Sequence, residues 1–269
     1  MKVKLIAIII AIACLCSCAR EPRLVILHVN DTHSHFEPVR SGEEAGFGGS
    51  IERAAIVDSV RALYGEDRVL LLHAGDFSQG SSYFSELNGA LEPQVMNAFK
   101  YDCTTIGNHE LDNDIEALTE RVAMLENTKV VCANIDLSPF EISKYIKPYT
   151  IIEKGGMKIG IIGMISNIST NVSAVVSSRI PKFDNVEVVN RWSAELAAQD
   201  CDLVILLSHL GFREDLEIIP QVSGIDLVIG GHSHTFVDDF EYAEDLDGKK
   251  VPVIQAGCWG LEMGEIKVW

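Results

Sequence analysis

What the chain is short of narrows the field first. It carries 22 lysines and arginines against 39 aspartates and glutamates, for a net charge of −17. That shortage of cations argues against a protein that grips a nucleic-acid backbone, and no nucleic-acid polymer is expected as a partner. An acidic protein that handles anionic substrates needs cations at its site, which is a first pointer to metal. Aromatic residues make up only 7% of the chain, and no pair of them stands out as a base-stacking clamp. Cysteine is scarce in the body of the sequence. Cys14, Cys16 and Cys18 cluster near the start, and Cys103, Cys132, Cys201 and Cys258 are scattered with no CxxC pair. A disulfide-rich scaffold is thereby excluded. Buried free thiols are expected, with room for one disulfide in an oxidising compartment. No apolar run approaches the roughly 20 residues that a membrane-spanning helix needs. Long low-complexity linkers and internal repeats are absent as well.

The longest apolar run, Leu5 to Leu15, follows Lys2 and Lys4 and reads as a targeting segment. It leads into Leu15-Cys16-Ser17-Cys18, which resembles the bacterial lipobox. Ser17 supplies the small residue before Cys18, and Leu15 the apolar residue three places before it. Residues 1–17 are therefore expected to be a lipoprotein signal peptide, with Cys18 as the lipidated residue. Two acyl chains would anchor the protein stably to membrane where one would not. The expected location is the bacterial cell envelope, periplasmic or on the outer-membrane surface. An ordinary cleaved signal, or an uncleaved short anchor, is the plainer alternative.

At 269 residues and 47% hydrophobic content, the chain suffices for one large domain or two small ones. After the signal, apolar runs alternate with helical patterns. Strands are predicted at Leu24–Asn30, Val69–His73, Cys103–Ile106, Lys129–Ala133, Tyr149–Ile152, Lys158–Met164, Leu203–Ser208, Ile225–Ile229, Val251–Gln255 and Glu265–Trp269. Helices are predicted at Ser50–Leu63, Leu91–Phe99, Asp114–Glu126 and Val186–Gln199. The alternation argues for an α/β fold with largely parallel pairing near the start. The last third reads as strands alone, so a mixed sheet or two packed sheets is expected. Ser41–Gly49 and Ser166–Ser178 are expected to be mobile loops, and Asp238–Asp247 a solvated surface loop.

In open α/β sheets, sites gather where strands end at their carboxyl edge. The first strong strand is followed by Asp31-Thr32-His33, and the second by Gly75-Asp76. The third leads to Gly107-Asn108-His109-Glu110, with Asp112 close behind. The run ending at Ser208 gives His209, and the one ending at Ile229 gives Gly231-His232-Ser233-His234. Five strand ends thus deliver carboxylate, imidazole or amide. Glycine flanks three of them, as expected where the backbone turns sharply. Imidazole with carboxylate suits Zn, Mn, Fe or Co rather than Ca or Mg. Taken singly, each residue has a bland reading as a turn or loop residue. His28 and His73 sit inside strands and read as core or supporting histidines. His35 reads as a loop histidine near the site mouth, and Glu110 as a supporting carboxylate.

Asp-x-His, Gly-Asp, Gly-Asn-His-Glu, a lone His and Gly-His-x-His, in that order, resemble the calcineurin-like metallophosphoesterases. The closer resemblance is to the catalytic domain of the bacterial 5′-nucleotidase, UDP-sugar hydrolase and 2′,3′-cyclic phosphodiesterase family. LHVNDTHSHFEP, HAGDFSQGS, YDCTTIGNHELDND, GMKIGIIGM, LLSHLGFREDLE, SGIDLVIGGHSHT and IQAGCWGLEMGEI carry it, from about Leu24 to Trp269. The resemblance implies a four-layer αββα sandwich of two mixed sheets, with residues 24–269 as the catalytic domain. It also implies two divalent metal ions (Zn, Mn, Co or Fe). Asp31, His33, Asp76 and His234 would hold the first, and Asp76, Asn108, His209 and His232 the second. His232 and His234 would then diverge rather than grip one ion. A shared water, ionised near neutral pH, would attack phosphorus in line. His109 would protonate the leaving oxygen, oriented by Asp112. The expected substrate is a phosphate ester, with nucleotides first. The family places Cys258 and Trp259 near the metals, and no chemistry is assigned to them.

Many relatives carry a second domain that supplies arginines and aromatic rings for the nucleotide, whereas this sequence ends at Trp269. The resemblance therefore leaves substrate recognition open. A separate substrate-domain protein could dock, the chain could act alone, or Ser166–Ser178 could build another pocket. A non-catalytic surface lipoprotein on the same fold is the alternative of a different class. The complete ligand set argues against it, because a binding module has no physical need for one.

Overall fold

A computed structural model describes residues 21–269. The expected signal segment and Cys18 lie outside the described residues. Two six-stranded sheets carry the fold. In the first, β1 (Leu24–Val29), β2 (Val69–His73), β3 (Cys103–Thr105), β4 (Lys129–Val131) and β5 (Ile146–Lys147) run parallel. In the second, β6 (Tyr149–Lys154), β7 (Met157–Ile165), β8 (Leu203–His209), β9 (Leu227–Ile229), β10 (Glu241–Glu244) and β11 (Lys250–Ile254) take the order β10-β11-β9-β8-β7-β6. Its middle is parallel and its two edge pairs antiparallel. The last strand, β12 (Gly264–Val268), returns to the first sheet antiparallel to β1.

The helices are α1 (Ser50–Tyr64), α2 (Ser82–Leu87), α3 (Leu91–Phe99), α4 (Asp114–Ala123), α5 (Ile168–Asn171), α6 (Ala174–Ser177), α7 (Asn185–Ala198) and α8 (Phe212–Ile218). β1 shows why they are needed. It reads LVILHV with every residue buried, the mark of a strand covered on both faces. Leu24 and Ile26 enter a core shared with Ile159, Ile161, Ile205 and Leu207 of the second sheet. Val25, Leu27 and Val29 point the other way, to Val57 and Val60 of α1 and Met96 and Phe99 of α3. β8 repeats the logic, with Val204 and Leu206 against Val188, Leu196 and Ile218 of α7 and α8. The layers are therefore helix, sheet, sheet, helix. Fully burying each such aliphatic side chain contributes about 1.5–3 kcal/mol.

The sequence-based elements hold within a few residues, with informative exceptions. Ser166–Ser178, expected to be a mobile loop, contains α5 and α6. Ile168, Val172 and Val176 recur at four-residue spacing and bury against α4. Asn167 caps α5 by accepting from the Ser169 amide at 3.2 Å. Polar composition hid that spacing. Asp238–Asp247, expected to be a surface loop, contains β10. Glu241–Glu244 lacks apolar alternation, and three of its four residues are exposed. Its pairing comes from the open edge of β11 rather than from its own pattern. The last third is not strands alone, since α8 lies within it. All four cysteines beyond the signal are free, and Cys103, Cys132 and Cys258 are buried. No helix among the described residues is long and apolar enough to cross a membrane.

Candidate metal centre

The ends of β1, β2, β3, β8 and β9 open onto one edge of the paired sheets, and each delivers a polar side chain there. Asp31, His33, Asp76, His232 and His234 sit at φ of 49°, 48°, 52°, 76° and 53°. Left-handed backbone is rare for residues with a Cβ and collects at functional sites. The chain crosses over itself closely to achieve this. A Cβ on Gly107 would overlap the Asp76 carboxylate, and one on Gly231 would lie 2.5 Å from the Ala74 carbonyl. Only glycine fits at either place.

Each aspartate has one oxygen committed and one free to face the imidazoles. Asp31 Oδ2 accepts from Asn30 Nδ2 at 2.7 Å and from the His232 amide at 2.8 Å. Asp76 Oδ1 accepts from the His109 amide at 2.9 Å. The remaining oxygens turn inward. Asp76 Oδ2 lies 3.0 Å from His209 Nε2 and 3.9 Å from His33 Nε2. Asp31 Oδ1 lies 3.3 Å from His234 Nε2 and 3.7 Å from His33 Nε2. Three groups of donor atoms result, each within 4.8 Å: Asp31, His33 and His234; Asp76, His209 and His232; and His33, Asp76 and His109. His232 and His234 fall in different groups. Asn108, at the end of β3, is 4% exposed and lines the same recess.

The donor chemistry fits divalent cations. His209 Nδ1 donates to the Ala74 carbonyl at 2.6 Å, so the lone pair of the neutral ring is on Nε2. His33 Nδ1 donates likewise to the Gln79 carbonyl at 3.1 Å. In the neutral rings the His209 lone pair faces Asp76 Oδ2 at 3.0 Å, and the His33 lone pair faces His234 Nε2 at 3.0 Å with both carboxylates within 4 Å, so each contact calls for a proton or a metal cation between its atoms. His209 Nε2 and Asp31 Oδ1 are buried without a hydrogen-bond partner. Burial disfavours charge on His209, but Asp76 and Asp31 outweigh it and hold the ring up at about 10. The same pull acts on a divalent cation. Burial also pushes Asp76 up, and His209 more than reverses this, leaving its carboxyl well below the usual range.

The support around these ligand candidates is built largely from backbone contacts. Glu110 Oε2 accepts from the amides of Asp76 at 2.9 Å and Gly107 at 2.6 Å, and Oε1 from that of Ser78 at 2.9 Å. One carboxylate thereby clamps the turns after β2 and β3. Burial, with Asp76 nearby, raises its pKa to about 7. His109 Nδ1 lies 2.7 Å from Asp112 Oδ2, and that hydrogen bond raises the pKa of the ring. His28 and His73 are buried, and His35 lines the mouth.

Sequence reasoning missed two contributors, Asn30 and Asn171, and left Trp259, which the resemblance places near the metals, without a role. Asn30 ties Asp31 to the Gly257 carbonyl at 2.5 Å, across most of the chain. Asn171, in the segment expected to be mobile, places Nδ2 3.1 Å from His232 Nε2. Trp259 lines the mouth, stacked on His35. Only Asn30 had a local signal, its place beside Asp31.

Two paired sheets with imidazoles and carboxylates gathered at one edge fit a metallophosphoesterase. The chain belongs to the calcineurin-like phosphoesterase family, whose model matches residues 24–236. It is 35% identical over 271 residues to the snake venom 5′-nucleotidase of Naja atra, covering 91% of this chain and 50% of that protein. A probable 5′-nucleotidase of Treponema pallidum is 34% identical over 268 residues, covering 91% of this chain and 44% of its own length. The solved 5′-nucleotidase precursor of Thermus thermophilus superposes with a TM-score of 0.81 at 31% identity, covering 90% of this chain and 50% of that one. The chain spans about half the length of the relatives it matches.

Proposed function

We propose that this chain hydrolyses phosphate esters, nucleotides first among them, at a centre of two divalent cations. Asp31, His33, Asp76 and His234 would hold one cation, and Asp76, Asn108, His209 and His232 the other. The carrying observation is that Asp31 with His33 and His234, and Asp76 with His209 and His232, form two adjoining donor groups. When bound, the cations supply Lewis-acid activation of water and neutralise charge on the phosphoryl oxygens. The chain's own residues set the geometry. Asn30 and the His232 amide aim Asp31, the His109 amide aims Asp76, and Glu110 locks the turns that carry Asp76 and Asn108. Water adds to phosphorus in line, and the P–O bond to the alcohol breaks. His109, turned by Asp112, gives its proton to the departing oxygen. Nucleotides as the substrate class rest on the activity that the relatives are named for.

The test is direct. Metal content of the purified chain is measured, and turnover of AMP, UDP-glucose, 2′,3′-cyclic AMP and a bis-aryl phosphate is assayed with Mn, Co or Zn. Two cations per chain and metal-dependent release of phosphate or alcohol are expected. Less than one cation per chain with no turnover on any substrate would falsify the reading.

We further infer a lipid anchor at Cys18, on the cell-envelope side of the membrane. The apolar run followed by Leu15-Cys16-Ser17-Cys18 supports it. Mass spectrometry of the mature N-terminus in its bacterial host checks it, and an unmodified or internal start would count against it.

A further inference from the structure

Beside the metal centre lies a second recess, a cavity of about 360 Å³ lined by Phe36, Pro38, Arg40 and Tyr83 among others. His35 and Trp259 line both this cavity and the mouth of the centre, so the two spaces adjoin. The shared rings are stacked, with centroids 5.0 Å apart and planes 19° from parallel. Phe36 and Tyr83 meet edge to face at 5.5 Å. In a chain with few aromatics, four ring-bearing residues converge here.

Main-chain contacts reference the shelf to the metal centre. The Trp259 amide donates to the Asp31 carbonyl at 2.7 Å. Its carbonyl accepts from Arg53 Nη1 at 3.4 Å. Trp259 sits at φ 57°, a strained place for a bulky residue, which persists only where its surroundings enforce it. His35 Nδ1 donates to the His33 carbonyl at 2.8 Å. Both stacked rings therefore hang from peptides that carry ligand candidates. Trp259 remains 37% exposed, which leaves ring surface for a ligand. The charged residues of the recess, Arg40 and Glu37, pair with each other, and Tyr83 donates to Glu37 at 2.9 Å. The recess thus offers stacking rather than a free charge. Its volume lies within the range of about 300–1,000 Å³ typical of small-molecule sites.

We propose that this recess is a leaving-group subsite, taking the planar heteroaromatic part of an ester whose phosphate lies at the metal centre. A nucleoside monophosphate is the fitting class. The proposal rests on the phosphoesterase reading and adds that base recognition lies within this chain, on Trp259, His35 and Tyr83. Aromatic faces accept any base, so a preference for nucleosides over aliphatic alcohols is expected, with little choice among bases.

Metal-loaded wild type is compared with Trp259→Ala, Trp259→Phe and Tyr83→Ala. Adenosine, the leaving group alone, is titrated calorimetrically. Its Kd is expected to rise about 5- to 150-fold in Trp259→Ala, the range for loss of one base-stacking contact. Trp259→Phe should restore most of the affinity. The kcat/KM for AMP divided by that for glycerol 2-phosphate should fall by a similar factor, and less far in Tyr83→Ala. Equal losses on both esters, or adenosine binding indifferent to Trp259→Ala, would overturn the subsite and leave the phosphoesterase reading standing. A wild type that binds adenosine through Trp259 yet hydrolyses neither ester would uphold the subsite and remove the proposed function.

Discussion

The candidate centre has a deep half and a shallow half, and the two are held by different means. The side chains of Asp31, Asp76 and His209 are at most 2% exposed. Those of His109, Asp112 and His234 are 30–40% exposed. In the deep half, main-chain amides and carbonyls do most of the orienting, through the Ala74 carbonyl, the His109 and His232 amides, and Glu110. In the shallow half, side chains orient one another, as Asp112 does His109 and Asn171 does His232. The deep half is a product of folding and suits cation binding. The shallow half opens to the mouth and, beside the ligand candidates His232 and His234, carries the His109–Asp112 pair suited to proton transfer.

The largest effect should come from the carboxylate at the seam. Asp76→Asn removes the charge assigned to both cations, and loss of bound metal and of turnover to background is expected, checked by metal analysis alongside the assay. His109→Asn probes the other half. It should keep both cations while the rate falls about 10²–10⁴-fold, the span of a lost general acid. A His109→Asn protein without metal would erase the distinction between the halves.

That distinction was only half legible in the sequence. Every ligand candidate stands just after an apolar run, so Asp31, Asp76, Asn108, His209 and His232 could be read as strand-end residues from local pattern. Most strands of the two sheets were legible for the same reason, because a strand buried on two faces, such as LVILHV, is apolar almost throughout, with His28 the one exception there. The orienting contacts were not. Asn30 to Gly257 joins positions 227 residues apart, and Trp259 to Asp31 closes a loop of similar length. Such pairings depend on how β12 returns beside β1, and no window of sequence encodes that return. The left-handed backbone at five ligand candidates was equally hidden, since aspartate and histidine do not announce positive φ as glycine does. Ser166–Ser178 shows a related blindness. Its buried isoleucine and valines are too few for a periodic signal, yet they place Asn171 against His232.

A smaller effect tests the claim that backbone contacts hold the deep half. Glu110→Gln preserves shape but leaves one acceptor oxygen where three amides need two. One of the turns after β2 and β3 should loosen. Metal affinity is expected to weaken by about 10–100-fold, the usual cost of losing a group that orients ligands. Turnover at saturating metal should change much less. Titration with a competing chelator, compared with kcat at high metal, separates the two.

The smallest effect concerns stability alone, and it asks what the deep half costs. Asp215 lies fully buried beneath the turn after β8, with Oδ1 accepting from Ser208 Oγ at 2.5 Å and Oδ2 without a partner. Burial pushes its carboxyl from 3.8 up to about 7. Below about pH 4 both folded and unfolded chains keep this proton, and the group makes no pH-dependent difference. As the pH rises from about 4 to 7, the unfolded chain releases a proton that the folded chain retains, so stability falls. Above about 7 the fall is complete, at roughly 1–4 kcal/mol. Asp215→Asn cannot ionise and should lack this slope. Urea unfolding at pH 5 and pH 8 should show wild type losing more stability between the two than the variant, with metal content and turnover alike in both. Parallel losses would mean that the acid is ionised within the fold, and that the deep half tolerates a buried charge outside its cation centre.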